Sequence, residues 1–196
     1  LNTARFDVTK HLATPIISDA KIGIQELSKA LNEWRAPEIW YDRATKERSE
    51  WDTYVEKQSG PTNQELPSYA HAVGAVYRNS DPSDIVVTAA GGLVGEVVQI
   101  WKPKELNTFE TEWGFSCMGY EISGALGIKI AKPDKEIIVF VGDGSYLLHN
   151  SDIYSSVIYD KKLIIVVCDN GGHMVINRLQ LAKGGKEYLC NLRAAR

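Results

Sequence analysis

The sequence predicts an α/β fold, a doubly wound parallel sheet with helices on both faces. Three observations point there. Ile137-Ile138-Val139-Phe140-Val141 and Leu163-Ile164-Ile165-Val166-Val167-Cys168 are short, continuous and β-branched, the pattern of strands buried on both faces of a parallel sheet. The segment between them, Tyr146 to Asp160, is long enough for one crossover helix. Each run ends in a glycine-rich turn bearing oxygen groups, Gly142-Asp143-Gly144-Ser145 after the first and Asp169-Asn170-Gly171-Gly172 after the second. Adjacent parallel strands would bring Asp143 and Asn170 out at one carboxyl edge, about 5 Å apart. That edge is where open α/β sheets bind ligands.

The remaining elements follow in chain order. Pro15-Ile16-Ile17-Ser18-Asp19 fits a strand end followed by a helix cap, since the Asp19 carboxylate can accept from the next backbone N–H groups. Ala20 to Trp34 then places Ile24, Leu27 and Leu31 on one helical face. Glu38 to Lys57 mixes Trp40, Tyr41, Trp51 and Tyr54 with many charges. This predicts an amphipathic connecting helix with its aromatics laid on a neighbouring domain, in preference to a nucleic-acid stacking surface. Ser59-Gly60-Pro61-Thr62-Asn63 is a turn-rich linker. Pro67 starts a new helix near its first turn, and Asp81-Pro82 ends the connection after it. Ile85-Val86-Val87-Thr88 is the first strand of the sheet, with Gly91-Gly92 at its carboxyl end.

Composition narrows the function classes. A formal charge of −3 and the lack of any Lys/Arg cluster give no nucleic-acid footprint. Three cysteines without tight spacing argue against a secreted disulfide framework. The sequence shows no signal peptide and no apolar run of membrane-spanning length. A soluble cytoplasmic protein with no nucleic-acid and no membrane partner is the expectation.

The two turns carry narrow chemistry. The Asp143 carboxylate, the Asn170 carboxamide oxygen and a backbone carbonyl near Gly172 make a hard, all-oxygen half-shell. Mg2+ takes octahedral oxygens and completes its shell with phosphate and water. Gly144 and Ser145 open the crossover helix, whose free N–H groups favour a phosphate. A magnesium diphosphate cradle fits the succession of strand, turn, helix, strand and turn, whereas Gly-Asp-Gly alone would fit any tight turn after a strand.

In these turns and their spacing the chain resembles the thiamine-diphosphate enzymes related to acetolactate synthase and pyruvate decarboxylase. Glu112-Trp113-Gly114-Phe115-Ser116-Cys117-Met118-Gly119-Tyr120-Glu121 is similar to one branch, the inositol-catabolic trihydroxycyclohexane-1,2-dione hydrolases. Leu66-Pro67-Ser68-Tyr69-Ala70, Ala89-Ala90-Gly91-Gly92-Leu93 and Ile176-Asn177-Arg178-Leu179-Gln180 point the same way. The resemblance implies three parts: a middle-domain remnant over 1–36, a connecting helix and linker over 37–65, and the diphosphate- and magnesium-binding domain over 66–196. A start at Leu1 and a stop at Arg196 suit a fragment truncated at both ends.

The resemblance also implies roles. Thiamine diphosphate and Mg2+ are the expected cofactors, with Asp143, Asn170 and the Gly172 carbonyl as metal ligands. Gly144 and Ser145 would donate to the diphosphate, and Gly91, Gly92 and Leu93 would cover its other side. Met118 would wedge between the two cofactor rings, and the backbone of Ser116 and Met118 would bind the aminopyrimidine. The activating glutamate belongs to a separate pyrimidine-binding domain, and the site lies between subunits, so the intact protein is expected to be at least a homodimer acting on a small-molecule substrate.

Other residues stay open. His173 follows the metal turn and suits either proton transfer or a solvent-facing loop. His11, His71 and His149 are expected to be structural, and Cys117 lacks a base partner for nucleophilic work. Glu112, Tyr120 and Glu121 would face substrate or cap local structure. His173-Met174 stands where the resembled enzymes have an aromatic residue and glycine, and Arg178 where they have asparagine, changes on the substrate side of the cofactor. Three functions are therefore carried forward: hydrolysis of a ring C–C bond in a cyclic 1,2-diketone, carboligation or decarboxylation of 2-oxo acids, and non-catalytic cofactor or partner binding.

Overall fold

A computed structural model describes residues 14–192; the earlier ones, His11 among them, and the last four lie outside it. The chain divides into two units between Glu50 and Trp51. In the first, Asp19 accepts from the N–H groups of Lys21 at 2.9 Å and Ile22 at 3.2 Å and so caps α1 (Ala20–Leu31). The helix stops at Asn32, whose φ of 21° is outside the helical range, short of the expected Trp34. Ile24, Leu27 and Leu31 are exposed. The long helix α2 (Glu38–Ser59) runs through the division. Trp40, Tyr41, Trp51 and Tyr54 are all exposed, and the helix buries Val55 and Ser59 near its end instead.

The second unit is built on a four-stranded sheet in the order β2-β1-β3-β4, with β1 (Ile85–Thr88), β2 (Phe109–Thr111), β3 (Ile137–Gly142) and β4 (Ile164–Cys168) all parallel. Alternate residues supply two cores. Val86, Ile138 and Phe140 face α3 (Tyr69–Arg78) and α4 (Leu93–Ile100), where Val73, Val97 and Trp101 are buried. Ile85, Val87, Ile137, Val139 and Val141 face α5 (Tyr120–Ala131) through Ile122 and Ala125. Trp101 meets Phe140 and Tyr77 edge-on, with ring centroids 6.0 and 5.2 Å away. The α/β fold with helices on both faces is the one the sequence predicts.

Three local expectations are corrected, and one strand is new. β4 is not buried on both faces: it is the sheet edge, and Val167 is 41% exposed. The strand β2 goes unread in the sequence, being three residues long with Glu110 at its centre. The crossover is two short helices, α6 (Asp143–Leu148) and α7 (Ser151–Ile158), because His149 leaves the helical region with φ −149° and ψ 63°. Pro67 lies outside α3, which Ser68 caps in a reciprocal pair: Ser68 Oγ accepts from His71 N and His71 Nδ1 accepts from Ser68 N.

Connectivity places the cleft. From β1 the chain passes through α4 to β2 on one side, then returns through α5 to β3 on the other side of β1. The crossovers from β1 and β3 diverge, leaving a crevice between their carboxyl ends, the topological switch point of an open sheet. Among the described residues, no helix is long and apolar enough to cross a membrane.

Candidate functional site

A cavity of about 410 Å³ opens at that switch point. It gathers all ten residues singled out for cofactor and metal: Gly91, Gly92, Leu93, Ser116, Met118, Asp143, Gly144, Ser145, Asn170 and Gly172. His173 joins them. They come from four chain segments, and strand ends position three of these. The β1 end delivers Gly91 to Leu93, the β3 end Asp143 to Ser145, and the β4 end Asn170 and Gly172. Gly142 pairs with Cys168 across β3 and β4, so the two oxygen-bearing turns leave the sheet side by side.

Asp143 is 4% exposed, and its Oδ2 has no hydrogen-bond partner. Burial raises its carboxyl above the usual range, and a hydrogen bond to Asp169 and that residue's charge raise it further, against N–H groups of Gly144 and Gly171 that lower it. Asp169 itself accepts from Gly171 N at 2.8 Å. A buried carboxylate with an idle oxygen beside a second carboxylate calls for a cation or a proton. Asn170 Oδ1 accepts from Gly172 N at 3.2 Å, and the Gly172 carbonyl accepts from Met174 N at 2.9 Å, so each keeps lone-pair capacity. Among the described residues, no three His, Cys, Asp or Glu side chains converge as a metal cage. The donor set therefore suits a hard cation that fills its shell with ligand oxygens, as a metal–phosphate does.

The rest of the cavity lining is largely apolar. Met174, Val175, Ile176 and Leu179 of α8 (Met174–Ala182) and Tyr69 of α3 belong to it. The sequence places Met174 on the substrate side, whereas it gives Val175, Ile176, Leu179 and Tyr69 no role in the site. Tyr69 stood in view within Leu66–Ala70, but only the fold shows it reaching the Asn170 side chain. Its phenol is pushed up to about 12, by burial first and then by the charges of Cys168 and Asp143. The His173 ring lies over Gly144, where any Cβ would meet Nδ1 and Cε1. His71 is a helix-capping residue, and His149 packs at the α6–α7 junction with Nε2 3.6 Å from Asp152.

The loop carrying Ser116 and Met118 is held from both sides. Glu112 accepts from Phe115 N at 2.8 Å and Cys117 N at 2.7 Å, and Glu121 accepts from Gly119 N at 2.8 Å. Gly119 is required twice over: its φ is +97°, and a Cβ there would run into the His149 side chain. Desolvation, then the Glu112 charge, raises the Cys117 thiol, opposite to what an activated nucleophile needs.

Residues 89–194 match the family described as thiamine pyrophosphate enzyme, C-terminal TPP binding domain, TPP being thiamine diphosphate. The chain belongs to this family. It is 34% identical to a 3D-(3,5/4)-trihydroxycyclohexane-1,2-dione hydrolase of Lacticaseibacillus casei and 33% identical to one of Shouchella clausii, in each case over 100% of this chain and 34% of the relative. The same enzyme of Halalkalibacterium halodurans is 31% identical over the same shares. The chain thus spans about a third of the length of the curated relatives it matches.

Proposed function

We propose that the intact protein hydrolyses a ring C–C bond of a cyclic 1,2-diketone, trihydroxycyclohexane-1,2-dione, to 5-deoxy-glucuronic acid in myo-inositol catabolism, with thiamine diphosphate and Mg2+. The observation that carries the cofactor half is the buried, half-idle Asp143 carboxylate beside Asn170 and Gly172 at the switch point. The substrate half rests on the Glu112–Glu121 stretch and on the name shared by the relatives.

Asp143, Asn170 and the Gly172 carbonyl hold the metal. Backbone N–H groups of Gly144 and Ser145 and of the Gly91–Leu93 turn, at the starts of α6 and α4, receive the diphosphate. Met118, 37% exposed and lining the cavity, would wedge against the cofactor rings, and the backbone of Ser116 and Met118 would hold the aminopyrimidine. When bound, thiamine diphosphate supplies a nucleophilic carbon and an electron sink for cleavage next to a carbonyl. The α8 wall excludes water from one side of the rings. His173, whose ring lies over Gly144, would be placed to hold or move a proton at the cofactor side of the cleft. The activating glutamate comes from a pyrimidine-binding domain of a second subunit, which makes the working unit at least a homodimer, in the cytoplasm.

A second reading, carboligation or decarboxylation of 2-oxo acids, is favoured by His173, Met174 and Arg178, the departures on the substrate side. The test uses the full-length protein with thiamine diphosphate and Mg2+, offered the dione and pyruvate separately, with products followed by NMR. Ring opening to the deoxy-glucuronic acid is expected. Carbon dioxide and acetolactate from pyruvate, with the dione untouched, would replace the proposal by the second reading. A protein that binds no thiamine diphosphate and turns over neither would leave the non-catalytic module.

A further inference from the structure

Glu121 is an anomaly in the second unit. It is 1% exposed, one of the largest fully buried side chains, and no basic side chain is paired with it among the described contacts. Buried carboxylates need compensation. Here it comes entirely from backbone: Oε2 accepts from Gly119 N at 2.8 Å, and Oε1 accepts from Ala90 N at 3.2 Å. The first bond is local and would serve merely to cap α5. The second joins a residue 31 positions away, in the turn that follows β1.

The two N–H groups belong to the two walls of the cleft. Ala90 precedes Gly91, Gly92 and Leu93, and Gly119 follows Met118. A regular alternation reinforces this. Phe115, Cys117 and Gly119 send their N–H groups into Glu112 or Glu121, while Ser116 and Met118 between them line the cavity. Ser116 is held at a φ of +53°, a costly conformation for a residue with a side chain, and the flanking carboxylates keep it there.

We propose that Glu121 is a positioning residue for the cofactor: its buried carboxylate ties the diphosphate turn to the Met118 loop and so fixes the span between the diphosphate site and the ring wedge. The assignment of those two loops rests on the cofactor reading above; the tie itself does not. Glu112, partly buried, steadies its own loop alone.

The test is hydrogen exchange by mass spectrometry on the full-length protein without cofactor, followed by thiamine diphosphate titration and turnover. Glu121→Gln keeps length but turns an NH2 toward one of the two N–H groups, so one bond is lost. Exchange should rise about tenfold, roughly the worth of one charged hydrogen bond, in 88–92 and 115–119 together. Glu112→Gln should raise exchange in 113–117 and leave 88–92 unchanged. With cofactor and Mg2+, Glu121→Gln should lower kcat more than cofactor affinity, because the phosphate contacts survive while the ring geometry loosens. Glu121→Asp, which retains both acceptors on a shorter arm, should recover part of the loss, and it answers the same question if the glutamine variant does not fold. A rise confined to 115–119 would reduce Glu121 to a helix cap and overturn the proposal, as would wild-type kcat and affinity in both variants. If the wild-type protein binds no thiamine diphosphate, the cofactor reading fails instead, and the exchange data still decide whether the tie exists.

Discussion

Asp143 stands in an environment that disfavours its own charge: buried, beside Asp169, and with one oxygen unengaged. Charges arranged this way concentrate at functional sites. The cysteines show the same physics without function. Burial pushes the Cys168 thiol from 9.0 up to about 11. Its folded pKa lies above its unfolded one, so the stability it contributes is complete below about pH 9 and is lost as pH rises toward about 11. Cys117, although also raised, is exposed, while Cys168 and Cys190 are buried. Alkylation at pH 8 should therefore label Cys117 first, with Cys168 and Cys190 following only on unfolding. Peptide mass spectrometry checks this, and early labelling of Cys168 would contradict the packing of β4 against the core. At this scale, the ten cleft residues were legible because each sits directly in a turn after an apolar run or within a distinctive stretch. Tyr69 and the bond from Ala90 to Glu121 were not, since nothing in a linear sequence signals contact between residues 31 or more positions apart.

The elements show which patterns survive the step from sequence to fold. β1 and β3 were legible because central parallel strands need apolar residues on both faces, and Ile85–Val87 and Ile137–Val141 supply them. β2 was hidden because an edge strand of three residues needs no such run, and Phe109-Glu110-Thr111 offers none. The break at His149-Asn150 was hidden because no Gly or Pro marks it; Gly119 of the Met118 loop packs closely against His149 there. The metal turn depends on a further element that periodicity does not reveal, the segment that returns after α8. His173 N donates to Cys190 O and Leu192 N donates to Gly171 O, both at 2.8 Å, forming an antiparallel bridge at Gly172. Gln180 holds that segment through Tyr188, accepting from its N at 3.1 Å. Gly172 has a φ of +145°, and a Cβ there would collide with Cys190 O and Leu192 N. Gly172→Ala should therefore cost about 2–3 kcal/mol of stability, from strain and lost hydrogen bonds, and release the segment from the turn. Denaturant titration measures it. A variant as stable as wild type would show that the bridge does not hold the turn.

Across the whole molecule, the second unit contains both cores, the sheet and the cleft, while the first presents apolar residues such as Ile22, Ile24 and Trp34 to solvent. The family match over residues 89–194 falls within the second unit, and the chain spans about a third of the length of the curated relatives it matches. On the proposed function, Asp143, Asn170 and Gly172 bind the cofactor through a metal ion. Calorimetric titration of thiamine diphosphate into the full-length protein tests it most directly, with Mg2+, with a chelator, and with Asp143→Ala. Saturable binding should require Mg2+, and Asp143→Ala should weaken it by about a hundredfold, since the only charged protein ligand is gone. Equal affinity with chelator present, or in the variant, would rule out a metal bridge at Asp143.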